Sequence, residues 1–171
     1  MPLSRDQITT ALERLDELLG AAGVSASLYL VGGAVMCLVL NERESTKDVD
    51  AWFTEPERVR AASRQVADDL SLPESWLNDA AKAFIPDGAA FELWESWPHL
   101  EVLAADVSTL FAMKCAAART EEDAKDIDAL AKRLDIHSSV AALEVVARYY
   151  SPDRLPVRTR LLLEELLDDG A

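Results

Sequence analysis

Apolar residues recur near the start of the chain at three- and four-residue steps, Ile8, Leu12, Leu15 and Leu19, which predicts an amphipathic helix over residues 4–19. Ser4 and Gln7 stand at capping-box spacing at its beginning, and Gly20 or Gly23 closes it. The period then shortens. ASLYLVGG reads as a buried strand of about six residues running into a double glycine, AVMCLVLNER as a helix apolar on nearly every side, and STKDVDAWF as a second strand.

Residues 55–69 give a charged surface helix with Pro56 in its first turn. After a break at Pro73, ESWLNDAAKAFIPDGAAF offers Trp76, Leu77 and Phe84 as a short packed segment ending at Pro86–Gly88. FELWESW and HLEVLAADV are further strands, so the sheet has at least four. From Ser108 the pattern is helical: STLFAMKCAAAR, then EEDAKDIDALAKRL behind a second capping box of Thr120 and Asp123, then 138–150 and 156–168, parted at Ser151–Pro152. This order predicts the α/β (α+β) class, a mixed sheet flanked by helices. We expect one domain over 1–171, with its core at about 24–107 and a helical C-terminal portion at about 108–171.

Composition narrows the class of function. Half the residues are hydrophobic and 28% charged, an ordinary globular balance with no stretch that reads as a disordered linker. No apolar run approaches the roughly 20 residues that span a bilayer, and MPLSRDQITTALERL lacks the basic-then-apolar layout of a signal peptide. A cytoplasmic protein without membrane contact is expected. Cys37 and Cys115 sit in apolar helical sequence without a partner at metal-ligand spacing and read as buried, reduced thiols. A net charge of −14 argues against nonspecific nucleic-acid binding by the whole surface. Segment 148–160 departs from that balance, with Arg148, Arg154, Arg158 and Arg160 against Asp153 alone, ahead of a wholly acidic tail. It is either a local basic edge or a solvated loop.

The chemistry gathers around STKDVDAW. Residues two apart on a strand share a face, so Asp48 and Asp50 are expected side by side, their Cα atoms about 6.5 Å apart, with Val49 and Ala51 turned to the core. Adjacent carboxylates repel unless something positive lies between them, so the pair either holds a hard divalent cation such as Mg²⁺, which takes oxygen ligands, or lies solvated at a strand edge. Gly32 and Gly33, fifteen residues before this pair, end one strand and open a helix, where they either let a ligand approach the backbone or simply make a tight turn. Trp52 shares the face of Asp50 by parity and either stacks on a base or packs in the core. His99 and His137 stand alone and read as surface or loop residues.

The stretch VGGAVMCLVLNERESTKDVDAWF, residues 31–53, resembles the nucleotidyltransferase superfamily signature: an apolar residue, Gly-Gly or Gly-Ser, a helix, then D-x-D on the next strand. More closely it looks like the AbiEii/MenT toxin group and its small relatives, in which Ser or Thr precedes the first aspartate. Lys114 in FAMKCAAAR and Asp126 in EEDAKDIDAL match that group's later lysine and aspartate, and WLNDAAKAF resembles a further segment, so the likeness runs from about residue 28 to 130. It implies a nucleotidyltransferase-like fold and transfer of a nucleoside monophosphate from an NTP to a hydroxyl. The implied acceptor is the 3′ end of tRNA or another hydroxyl, a protein's included, and the implied partner is a cognate antitoxin. A nucleotide-binding module that keeps the fold without turnover is the other expectation.

The resemblance also implies roles. Asp48 and Asp50 ligate Mg²⁺, Gly32 and Gly33 line the phosphate path, and Thr46 donates to a phosphate. Lys114 neutralises the triphosphate or leaving pyrophosphate, and Asp126 orients Lys114 or acts as a base. These last two need separate helices, which the break at Arg119–Thr120 supplies. Arg119 is either a second phosphate ligand or a surface ion-pair partner. A third carboxylate, used by many nucleotidyltransferases, would come from Glu92, Glu95 or Glu101, or else the toxin-like pattern dispenses with one.

Overall fold

Ser4 caps the first helix reciprocally: its hydroxyl accepts from the Gln7 N–H, and the Gln7 amide oxygen accepts from the Ser4 N–H. The structure, a computed structural model, describes residues 1–118 and 120–168. Its chain divides into two compact units, the first Met1–Ala83 with Phe91–Ala105, the second Phe84–Ala90 with the chain from Asp106.

The first unit holds helices α1 (Arg5–Ala21), α2 (Gly32–Leu38) and α3 (Pro56–Leu70), with strands β1 (Leu3–Ser4), β2 (Ala26–Leu30), β3 (Ser45–Thr46), β4 (Val49–Phe53), β5 (Leu77–Asn78), β6 (Phe91–Ser96) and β7 (Leu100–Ala105). Five strands form a mixed sheet in the order β5-β4-β2-β7-β6. β4 and β6 run antiparallel to their neighbours β2 and β7, while β2–β7 and β4–β5 are parallel. Alternation sets the faces: Leu28, Leu30, Val49, Ala51, Phe53, Val102 and Ala104 are buried on one side. α1 packs against α3 and touches β7.

Several expectations change here. Gly23, with φ +68°, follows the end of α1, whereas Gly20 lies inside it, facing the His99 ring. The helix expected over AVMCLVLNER stops at Leu38, and Asn41 turns left-handed at φ 56°. STKDVDAWF is two strands, not one. β3 pairs with β1, Leu3 opposite Thr46, and Asp48 lies between β3 and β4. The sheet gains β5, whose two residues are recognisable only by their pairing with β4. Trp76 and Leu77 are buried as expected, the Trp76 indole donating to Ser63 O at 3.0 Å, but Phe84 is 68% exposed.

The second unit comprises α4 (Val107–Ala117), α5 (Glu121–Arg133), α6 (Ser139–Ala147) and α7 (Val157–Leu167). Asp106 caps α4 through the Thr109 N–H, and Thr120 and Asp123 form the expected capping box on α5. Three acids open α5 and Lys132 and Arg133 close it, the order its dipole favours. α4 packs on α5 and α6, and α6 on α7. Thr159 on α7 donates its hydroxyl to Cys115 O at 2.9 Å, a buried bond. Among the described residues, no helix is long and apolar enough to cross a membrane.

Candidate functional site

In the first unit, β2 ends at Leu30, and the Val31 N–H donates to Asp50 O at 3.0 Å, carrying the ladder one residue beyond the strand. Gly32 follows at φ +64°, a left-handed conformation that glycine adopts without steric cost. Asp50, Thr46 and Arg43 pack against the two glycines. A Cβ on residue 32 would stand 3.3 Å from Asp50 Oδ2. One on residue 33 would stand 2.5 Å from Thr46 Oγ1 and 3.4 Å from Arg43 Nη1. Glycine is therefore needed at 33 to admit the Thr46 hydroxyl, a packing role beside the phosphate-lining role the sequence implies.

Thr46 is buried, and its hydroxyl donates to Asp48 O at 3.1 Å. Its single proton is thus taken up by the backbone of the first aspartate. Asp48 is held at its other end as well, where Asn78 Nδ2 donates to Asp48 Oδ2 at 3.3 Å. Asn78 reaches it from β5, where it stands beside Asp50 in the parallel register. Gly32, Gly33, Thr46, Asp48 and Asp50 are consequently gathered at one end of β4.

The face expectation for Asp50 and Trp52 agrees with burial, since Val49, Ala51 and Phe53 are buried and Asp50 and Trp52 half-buried. Trp52 packs on Tyr29, with ring centroids 4.6 Å apart, and Tyr29 meets Phe91 edge-on at 5.2 Å. None of the three candidate glutamates stands on the face of Asp50 at its level, as in the alternative that dispenses with a third carboxylate. Glu92 and Glu95 stand opposite Ala104 and Val102, on the sheet face away from Asp50. Glu101 shares the face of Asp50 but pairs with Ser27, whose carbonyl accepts from the Thr54 N–H. That level lies four residues along β4 from Asp50, about 13 Å away.

In the second unit, Lys114 on α4 and Asp126 on α5 form an ion pair, Nζ to Oδ2 at 2.8 Å, with side chains 13% and 4% exposed. Neither is the solvated surface group that helix position alone would suggest. Lys114 also lies 3.4 Å from Asp123 Oδ1, and Asp123 is the N3 residue that completes the capping box of α5. Arg119 lies outside the described residues. Arg148, Arg154, Arg158 and Arg160 are all exposed, and Arg160 donates to Pro152 O at 2.9 Å.

His137 is exposed beside Asp135 at 2.8 Å, and His99 occupies the β6–β7 loop, its N–H donating to Asp16 Oδ1 at 2.7 Å. Both cysteines are buried, and burial pushes the Cys115 thiol up to about 12. Two residues at the site, Arg43 and Asn78, were not singled out from the sequence. The only signal for Asn78 was its place in WLNDAAKAF, and Arg43 gave none. Comparison of the chain with protein-family models, with curated proteins and with solved structures found no match.

Proposed function

We propose that this chain is a Mg²⁺-dependent nucleotidyltransferase that moves a nucleoside monophosphate from a nucleoside triphosphate to an acceptor hydroxyl. The observation that carries the proposal is the packing of Asp50 and Thr46 on the Gly32–Gly33 turn, with the Thr46 hydroxyl donating to the Asp48 carbonyl. The donor set fits the metal. Among the described residues no three His, Cys, Asp or Glu side chains cluster, and Mg²⁺ is commonly held by one or two carboxylates, with substrate phosphates and water supplying the rest.

Asp48 and Asp50 would hold the ion, which when bound supplies Lewis-acid polarisation of the α-phosphate and helps activate the acceptor oxygen. The acceptor oxygen–phosphorus bond forms as the bond to pyrophosphate breaks, and the hydroxyl proton passes to solvent water. Within the second unit Asp126 pairs with Lys114 at 2.8 Å, which suits Asp126 to orienting the ammonium that the resemblance assigns to triphosphate charge. That pairing favours the orienting role of Asp126 over the role of base. Of the acceptors the resemblance implies, the 3′ end of tRNA is the one the exposed arginines of 148–160 suit, since phosphate contact needs clustered cations. A tRNA-modifying toxin of this kind would be held by a cognate antitoxin.

Incubation with Mg²⁺, each labelled nucleoside triphosphate and either total tRNA or cell extract tests the proposal. Label transfer that disappears in Asp48→Ala supports it. Tight nucleotide binding with no transfer to any macromolecule overturns it in favour of a nucleotide-binding module. Label on protein alone, or on tRNA undiminished by charge reversal at Arg154, Arg158 and Arg160, overturns the acceptor assignment only.

A further inference from the structure

Asn78 makes two hydrogen bonds that fix its amide in one sense. Its Oδ1 accepts from the Ala80 N–H at 3.1 Å, and its Nδ2 donates to Asp48 Oδ2 at 3.3 Å. A flipped amide would aim an N–H₂ group at the Ala80 N–H and an oxygen at the carboxylate, so both contacts select the same orientation. The residue's backbone is equally fixed, paired in parallel register beside Asp50. Next to it, Leu77 pairs with Val49, and buried Trp76 is anchored to Ser63 O. The amide therefore sits on a well-supported strand end rather than a free loop.

We propose that Asn78 is a positioning residue: it engages one oxygen of Asp48 and so turns the other, Oδ1, toward a divalent cation. This rests on the metal site proposed above. Residue type matters here. At 3.3 Å the bond is long for an amide donor. Being neutral, the donor leaves the charge of Asp48 intact for the cation, which a lysine or arginine at this position would offset. An aspartate at 78 would set a third negative charge beside Asp48 and Asp50 and could not donate. Partners of this kind fix ligand orientation and typically change metal affinity by about 10–100-fold when removed.

The test is Mn²⁺ binding by the full chain, measured by titration calorimetry with and without a non-hydrolysable nucleoside triphosphate analogue. Wild type, Asn78→Ala, Asn78→Ser and Asp48→Ala are compared, and each is melted in chelator. Serine retains an acceptor for the Ala80 N–H, as short hydroxyl side chains do in such turns, but does not reach Asp48. Asn78→Ser should therefore fold even if Asn78→Ala does not. The expected result is Mn²⁺ affinity about tenfold or more weaker in Asn78→Ser, its chelator melting curve close to wild type. In turnover, the Mg²⁺ concentration for half-maximal rate should rise while the rate at saturating Mg²⁺ is largely kept. Wild-type affinity in Asn78→Ser, with binding lost in Asp48→Ala, overturns the positioning role and leaves the metal site standing. Binding that is absent from wild type or unchanged in Asp48→Ala overturns the metal site and this inference with it.

Discussion

Thr46 Oγ1 fills the place beside Gly33 where a side chain would begin, 2.5 Å from an added Cβ. Gly33→Ala must push aside a buried hydroxyl that is bonded to Asp48 O. Overpacking of this kind costs about 1–3 kcal/mol, and urea denaturation should show a loss in that range. With Thr46→Ala as background the nearest hydroxyl is gone, so the same substitution should cost distinctly less. Equal cost in both backgrounds would show that the clash does not set the glycine requirement.

Lys114 and Asp126 separate structural from chemical roles. Removing one member of a buried ion pair leaves the other uncompensated, which typically costs about 3–5 kcal/mol. Lys114→Met should approach that loss, while Lys114→Met with Asp126→Leu should recover much of it, because an apolar pair of similar volume suits a buried site. Nucleotide transfer should not return with stability. Transfer at the wild-type rate in the double variant would remove both residues from the proposed chemistry.

The thiols provide a check on packing. Cys37 and Cys115 are both buried, and burial raises both thiols, Cys115 to about 12. Neither should react with a thiol reagent at pH 8 in the folded protein, and both should react after denaturation. Rapid labelling of Cys115 in the native state would contradict the packing of α4 around it.

What was legible in the sequence follows from how locally each feature is decided. Both capping boxes were readable because Ser4 with Gln7, and Thr120 with Asp123, settle their helix starts within one turn. The break between β3 and β4 was not, because Thr46 is held by pairing with Leu3, from the far side of α1 and α2. β5 was missed for a similar reason, its two residues being a strand only beside Val49 and Asp50. At the site, strand parity placed Asp50 with Trp52, but Asp48 precedes β4 and lies outside that parity, because β3 and β4 are separate strands. Discriminating among Glu92, Glu95 and Glu101 needed the register of β6 and β7, which no local pattern encodes. The contact of Asn78 with Asp48 likewise depends on which strand β5 joins.

Asp168 makes the last prediction one of pH. Its carboxylate accepts from the Ser139 hydroxyl at 2.5 Å and from the Ser139 N–H at 2.8 Å, tying the end of α7 to the first turn of α6. The hydroxyl, then the N–H, holds this carboxyl below its ordinary value. A carboxylate with a lowered folded-state value binds fewer protons folded than unfolded. Its contribution is full above the ordinary carboxylate range of about 4 and is lost as pH falls through the lowered value. The stability difference between wild type and Asp168→Ala, from urea denaturation, should therefore stay constant from pH 6 to 8 and shrink below about pH 4. Ser139→Ala should reduce that pH dependence, because the hydroxyl is the larger of the two causes. A difference that grew on acidification would mean that the charged carboxylate is not what clasps the two helices.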